Sequence, residues 1–404
     1  MALPIALIAQ LSLRNIVRHR RRNLMLLVAI AVAVFTVLII NTLIRGMQAD
    51  MQELVVSNLN GHFKVHAPGY RDDPSIERGF KLAVDWAPAD PSAIEGWAAR
   101  VRIPAVILSE RETRGVQFVG IDPAQESISF LGTAEIDGSL LSSADDRRLL
   151  IGKEMAAQLE TRVGRRLVIM TQGADGLNRE AGFRIVGTYD TDGTTIEKQF
   201  VFTGRNALQK MVGAHVVTEV SVRVDDDGAH RTIGEGLAAF FADLEVKTWQ
   251  QLEPLTASYV LFADSAIFIY YFIVMTALIF GLVNTLVTSV MERVRELGML
   301  RAVGMRPGTV VAQVVFESTF IMMIGVALGL AAGWLVFQAL PTDIDMTSWV
   351  EGADKFGIPN IVRLRLQIGD IVLVTFLSIL FGVLASLYPA RKAVSISPVE
   401  AMRR

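Results

Sequence analysis

Residues 24–44 read LMLLVAIAVAVFTVLIINTLI, an uncharged run whose polar members are Thr36, Asn41 and Thr42. A helix rises about 1.5 Å per residue, so roughly 20 apolar residues cross a hydrocarbon layer of about 30 Å. The run has that length. It exceeds the roughly 7–15 residues of a signal-peptide core, and no small-residue cleavage site follows it. The segment therefore reads as a retained anchor. Working outward, three more such runs follow: 267–290 with Asn284, 314–340 with Glu317, and 368–387 with Asp370 near its start. Four runs of this length exceed what a soluble domain buries.

Composition agrees. Of 404 residues, 51% are hydrophobic; the mean hydropathy is +0.41, and the apolar residues cluster in the four runs. A net charge of −2 gives no ground for nucleic-acid binding. The lack of cysteine excludes disulfides, thiolate metal sites and cysteine nucleophiles. The expected fold class is membrane α-helical, with four transmembrane helices and a large α+β extracytoplasmic domain inserted between helices 1 and 2.

The expected division is a basic amphipathic cytoplasmic segment at 1–23, membrane helices at 24–44, 265–290, 314–340 and 368–388, and the inserted domain at 45–264. Residues 291–313 form a cytoplasmic loop, 341–367 an extracytoplasmic loop and 389–404 a cytoplasmic tail. Arginine and lysine in the short flanks set the orientation. Arg14, Arg18, Arg20, Arg21 and Arg22 precede the first run, and Arg293, Arg295, Arg301 and Arg306 lie between the second and third. Arg391, Lys392, Arg403 and Arg404 follow the fourth. The loop after the third run instead carries Asp343, Asp345, Glu351 and Asp354 against Lys355, Arg363 and Arg365. Both termini are expected in the cytoplasm and the insert beyond the membrane.

Alternation predicts strands in the insert at 62–66, 101–109, 115–121, 166–171, 183–189, 216–224 and 246–249, with helices at 91–100, 154–160, 207–212 and 233–244. No phosphate-binding G-x-x-x-x-G-K-[ST], H-E-x-x-H or G-x-S-x-G occurs. His62 and His66 would share a strand face at about 13 Å, too far for one metal. Asp225-Asp226-Asp227-Gly228 lacks the alternating ligands of a calcium loop and reads as a solvated turn. No catalytic or metal site is expected.

The loop after the second run reads MERVRELGMLRAVGMRPG over 291–308. Val294, Leu297 and Leu300 recur at three-residue spacing, and Gly304 and Pro307-Gly308 end the pattern. A short amphipathic helix of this kind either docks in a partner's groove or is a solvated connector. In the third run Gly325, Gly329 and Gly333 lie one turn apart, a spacing that lets helices pack closely in lipid. Glu317 sits near the cytoplasmic start of that run, where it suits helix positioning better than transport chemistry.

The stretch ERVRELGMLRAVG at 292–304, with YPARKA at 388–393, SPVEAMR at 397–403 and LRNI at 13–16, resembles the FtsX-like permeases of ABC transporters. In the insert, FVGIDP at 118–123, LIGKEMA at 150–156 and FRIVG at 183–187 resemble the periplasmic core domain of macrolide-exporter and lipoprotein-releasing permeases. The resemblance implies a half-transporter without its own ATPase site. A separate ABC ATPase subunit dimer would bind ATP and Mg, and a second copy of the chain or a related permease would complete the membrane part. It implies a coupling helix carried by Glu292, Arg295, Glu296, Leu300, Arg301 and Gly304. The implied mechanism is mechanotransmission from ATP hydrolysis to the outer domain.

The lipoprotein-releasing branch matches best. The sequence has no fused ATPase, four spans rather than ten, and a large outer domain. GHFKVHAPGY at 61–70 and Thr248-Trp249 are similar to that branch. That likeness implies residence in the bacterial inner membrane and a lipoprotein or lipid substrate at the outer ends of the first two helices. Leu43, Met47, Phe262 and Ile269 are the candidate contacts, and a periplasmic carrier or adaptor is an implied partner. The alternatives are a mechanical regulator of an envelope hydrolase, or a peptide or antibiotic exporter subunit.

Overall fold

The computed structural model describes residues 20–83, 86–88, 93–191, 195–225, 230–302, 304–341, 343–345 and 361–395. The expected surface helix before residue 20 and the tail beyond 395 lie outside this set. In chain order the elements are α1 (Arg20–Val55), β1 (Phe63–His66), β2 (Ile94–Leu108), β3 (Thr113–Ile121), β4 (Glu135–Gly138), β5 (Arg148–Gly152), α2 (Lys153–Gln158), β6 (Arg166–Gln172) and β7 (Asn178–Asp190). Then come α3 (Thr195–Gln199), β8 (Phe200–Gly204), α4 (Arg205–Val212), β9 (Glu219–Val224), α5 (His230–Phe240), β10 (Glu245–Thr248) and α6 (Trp249–Leu252). The chain closes with α7 (Pro254–Glu292), α8 (Val294–Ala302), α9 (Pro307–Ala339), β11 (Asp343–Asp345), β12 (Ile361–Arg363) and α10 (Ile368–Ser395).

The chain divides into two compact units, with boundaries near Gln48 and Leu261. In the helical unit, α1, α7, α9 and α10 are long and apolar enough to cross a membrane. Their shared core includes Ile30 and Val34 from α1, Ile267 and Tyr271 from α7, Ile321 and Met322 from α9, and Val374 from α10. Large apolar side chains also point outward, among them Phe268, Phe272 and Phe280 of α7 and Leu335 of α9. A soluble protein hides such a surface, whereas hydrocarbon solvates it.

The glycine stripe of α9 faces α1. A Cβ at Gly325 would lie 2.6 Å from Ile30 Cγ2, at Gly329 2.7 Å from the Ala31 carbonyl oxygen, and at Gly333 2.5 Å from Leu38 Cδ2. The two helices therefore approach more closely than any side chain would allow.

The sheet unit holds one ten-stranded sheet in the order β10-β1-β9-β2-β3-β8-β5-β7-β4, with β6 pairing β2 and β7. Its middle strands are buried on both faces. Leu149 and Ile151 of β5 pack with Phe118, Ile169 and Leu208 on one side, and Leu150 packs with Phe202 and Tyr189 on the other. Around β1, β9 and β2 the faces differ. Phe63, Val65, Val220, Val222 and Ala99 form an apolar layer against α5, and the opposite face of these strands carries Lys64, His66, Glu219, Ser221 and Arg100.

That alternation overturns the helix expected over 91–100. From Ile94 the chain is already in β2, with Trp97 opposite Val222, Ala99 opposite Val220 and Arg100 opposite Glu219. Alanine and glutamate favour a helix locally, but pairing with a buried neighbour strand decides the outcome. The two histidines are also not equivalent. His62 lies just before β1 and accepts a hydrogen bond at Nδ1 from the Val224 amide at 3.0 Å, while His66 ends the strand.

Candidate functional site

In the helical unit, α7 ends at Glu292 and α8 begins at Val294, with Arg293 at the turn. The Arg293 guanidinium reaches Glu317 of α9 at 3.3 Å and Glu296 of α8 at 3.6 Å. Glu317 is buried, beside a small cleft lined by Ser289, Gln313 and Val314. Arg301 donates to the Val394 carbonyl of α10 at 2.9 Å. Pro307 then opens α9, where its missing amide costs nothing. Gly304 sits at φ +104, a conformation L side chains rarely adopt. The short helix is thereby tied by side chains to α9 and α10 and by the chain to α7. Glu292, Arg295 and Gly304 are at the surface, and Glu296 and Arg301 are half-buried. The side chains of Leu297 and Leu300 lie outside the described residues.

At the opposite ends of these helices is a cluster that the sequence reading passed over. Arg45 of α1 holds Asp370 of α10 through two nitrogens at 3.2 and 3.4 Å, and Asp264 of α7 at 2.5 Å. Gln48 adds a bond to Asp264 at 3.2 Å. Deeper in, Asn41 donates to the Tyr271 hydroxyl at 3.0 Å. The signal was present as charges at the ends of apolar runs, but spacing alone does not pair residues 325 apart in the chain. Of the four candidate substrate residues, Leu43 and Met47 are half-buried on α1, and Phe262 and Ile269 are exposed on α7.

In the sheet unit, a buried ionic network anchors the chain where α1 gives way to the domain. Leu59 adopts a left-handed φ of 59°. Its carbonyl accepts from Ser221 Oγ at 2.7 Å and Arg100 Nη1 at 3.0 Å. Arg100, fully buried, also binds both oxygens of Glu126 at 2.7 and 2.9 Å. Lys64 pairs with Glu219 at 3.1 Å. Burial alone would raise the Glu219 carboxyl, but Lys64, Arg102 and Arg100 outweigh it and hold it below its ordinary value. Burial pushes the Lys64 ammonium down to about 8 against the pull of Glu219, with Arg102 and Arg100 adding to the depression. On α1, Glu53 accepts from Arg223 of β9 at 2.9 and 3.1 Å.

Comparison with known proteins gives the family. The FtsX-like permease C-terminal family profile matches residues 268–398, and the MacB-like periplasmic core domain profile matches residues 24–239, more than half the chain. The chain is an FtsX-like permease with a MacB-like periplasmic core domain. The "Lipoprotein-releasing system transmembrane protein LolC" of Xylella fastidiosa is 23% identical over 97% of this chain and 98% of the relative. The "Macrolide export ATP-binding/permease protein MacB" of Chlorobaculum tepidum is 32% identical over 30% of this chain and 16% of the relative. Among solved structures, the periplasmic region of MacB from Actinobacillus actinomycetemcomitans aligns with 51% of this chain and 97% of that chain, at 10% identity and a TM-score of 0.35.

The permease is thus a membrane protein of the ABC transporter class, with its periplasmic domain between the first and second membrane helices. Within the helical unit its charged side chains tie helices to one another at both ends.

Proposed function

We propose that this permease couples ATP hydrolysis by a separate ATPase subunit to motion of its periplasmic domain, and so extracts or releases lipoproteins or lipids at the bacterial inner membrane. Both termini and α8 face the cytoplasm in this reading. A pair of permeases, identical or related, seats two α8 helices in two ATPase subunits. The observation that carries the proposal is the attachment of α8. Arg293 bridges Glu296 and Glu317, and Arg301 holds α10, so a push on one short helix is delivered to three membrane helices. The likeness to LolC over nearly the full length of both chains supports the lipoprotein or lipid substrate. The exposed Phe262 and Ile269 of α7 suit contact with an acyl chain.

The exporter reading draws on the higher identity to MacB over a shorter stretch. One experiment separates the two. The permease is copurified from its host in mild detergent, and its partners are identified by mass spectrometry. An ATPase with lipoprotein or lipid supports the proposal, and an ATPase with a periplasmic adaptor and no lipoprotein supports the exporter. In the same preparation Glu296→Arg or Leu300→Asp is expected to lose ATPase binding and stimulation. Retention of both by both variants removes α8 as the docking element.

A further inference from the structure

The polar face of the sheet encloses a cleft of about 320 Å³ lined by Lys64, His66, Tyr70, Arg102, Gln117 and Glu219. Small-molecule sites begin at about 300 Å³. Its residues come from adjacent strands in register. His66 of β1 stands opposite Glu219 of β9, which stands opposite Arg100 of β2. On the same face Lys64 lies two residues before His66 and Arg102 two residues after Arg100, one to each side of that row. Burying ionic groups is a weak route to stability, since well-packed apolar replacements often do as well or better. The other face of these strands is such an apolar layer.

The charges around the cleft do not cancel, even with Arg71 and Glu253, which also line it and add one charge of each sign. Arg100 is matched by Glu126 and Lys64 by Glu219. Arg102 is a third cation; its Nε meets the Gln117 side-chain oxygen at 3.3 Å and its guanidinium carbon lies 4.9 Å from the Phe200 ring centre. Two acceptors are also left over. His66 Nε2 and Glu219 Oε1 are buried and have no hydrogen-bond partner among the described residues, at residues that are each 1% exposed; the Arg100 guanidinium stands off Glu219 Oε1 at 3.8 Å, beyond hydrogen-bond reach. His66 Nδ1 lies 3.0 Å from the Ala67 carbonyl. Nδ1 therefore carries a hydrogen, and in the neutral ring Nε2 is an open acceptor. The cleft offers a surplus cation and two unmet acceptors together, which one anion alone or one amine alone would satisfy only in part.

We propose that this cleft binds a phosphate ester carrying an amine or hydroxyl, with phosphoryl oxygens held by Arg102 and Lys64 and the donor hydrogens by Glu219 and His66. A soluble phosphorylated amine and a phosphatidylethanolamine headgroup share this chemistry; the inference rests on the transport reading only for the lipid-borne form. The ligand would sit on the network that holds the Leu59 carbonyl, so its charge would be felt where α1 ends. An anion beside Lys64 would also raise its depressed ammonium, so binding at pH 8 would take up protons.

The test is calorimetric titration of the full-length permease in phospholipid-free detergent at pH 8, in two buffers of different ionisation enthalpy. The probes are O-phosphoethanolamine, inorganic phosphate and ethanolamine. Saturable binding of O-phosphoethanolamine with proton uptake is expected, with phosphate weaker and ethanolamine silent. Arg102→Gln should weaken binding by about tenfold or more, as loss of a charge-assisted hydrogen bond does. Gln117→Leu, which frees the Arg102 side chain at a half-buried position, is the second variant should the first not fold. Reconstitution in phosphatidylethanolamine nanodiscs should suppress the titration if the headgroup is lipid-borne, and leave it intact if the ligand is soluble; phosphatidylcholine nanodiscs are the reference. No saturable binding of any probe, or binding unchanged in a folded variant, overturns the site. ATPase docking is not read in this titration, so failure of the transport reading would leave its result intact.

Discussion

At the residue scale, the permease relies on charges withdrawn from water. Arg293 and Glu317 are mostly buried, and a buried carboxylate that loses its partner keeps its desolvation penalty without the compensating attraction. Arg293→Met should therefore lower stability by about 3 kcal/mol in thermal unfolding in detergent. Arg293→Met combined with Glu317→Met should recover most of the loss. Equal loss in the double variant would mean that the pair does not interact. A different carboxylate sets a pH limit. Asp146 accepts from Arg148 Nε at 2.8 Å and Nη2 at 2.6 Å, and from the Ser142 amide and hydroxyl at 2.8 and 3.0 Å. The Arg148 bonds hold its carboxyl well below the ordinary 3.8, with burial opposing and Ser142 assisting. The unfolded chain then binds the proton at higher pH than the folded one. The stabilisation is full above about pH 4 and lost as the pH falls further. Melting curves between pH 5 and 3 should show the domain of Asp146→Asn less stable at pH 5 and less sensitive to acid than the unaltered permease.

At the scale of elements, close approach of α1 and α9 depends on what the glycines leave out. At Gly329 an added Cβ meets backbone, the Ala31 carbonyl oxygen at 2.7 Å, whereas at Gly333 its nearest neighbour is a terminal methyl of Leu38. A leucine methyl can rotate aside, but a helix carbonyl moves only with its helix. Gly329→Ala should thus cost about 1–3 kcal/mol through overpacking, and Gly333→Ala clearly less, both read as melting temperatures in one detergent. The reverse order would mean that α1 yields more readily than the Leu38 side chain. The membrane helices were legible in the sequence because hydrocarbon demands one long uninterrupted run. The stretch 94–100 was not, because its alternation of Trp97, Ala99 and Arg100 acquires meaning only against β9. The ties of α8 were half legible. Its own amphipathic pattern is local, but Arg293 meets Glu317, and Arg301 meets the Val394 carbonyl, only after the helices pack. The cleft beside His66 and Glu219 was hidden for the same reason: its side chains come from strands remote in sequence.

At the scale of the whole molecule, orientation is the claim on which the proposed mechanism stands. The periplasmic core domain and α8 must face opposite sides of the membrane, or a push from an ATPase on α8 has no route to the periplasm. The arginines of the short flanks favour that arrangement, since positive charge is retained on the cytoplasmic side. The chain has no cysteine, so one introduced thiol gives the only maleimide signal. Leu177→Cys, at an exposed position between β6 and β7, should react with an impermeant maleimide added to intact spheroplasts. Ala302→Cys, exposed at the end of α8, should react only after the membrane is opened. Labelling of Ala302→Cys from outside would invert the topology and leave the ties from α8 to α9 and α10 without an ATPase to pull on them. Labelling of Leu177→Cys alone is the outcome the proposed direction of force requires, with the periplasmic core domain and α8 exposed on opposite sides of the membrane.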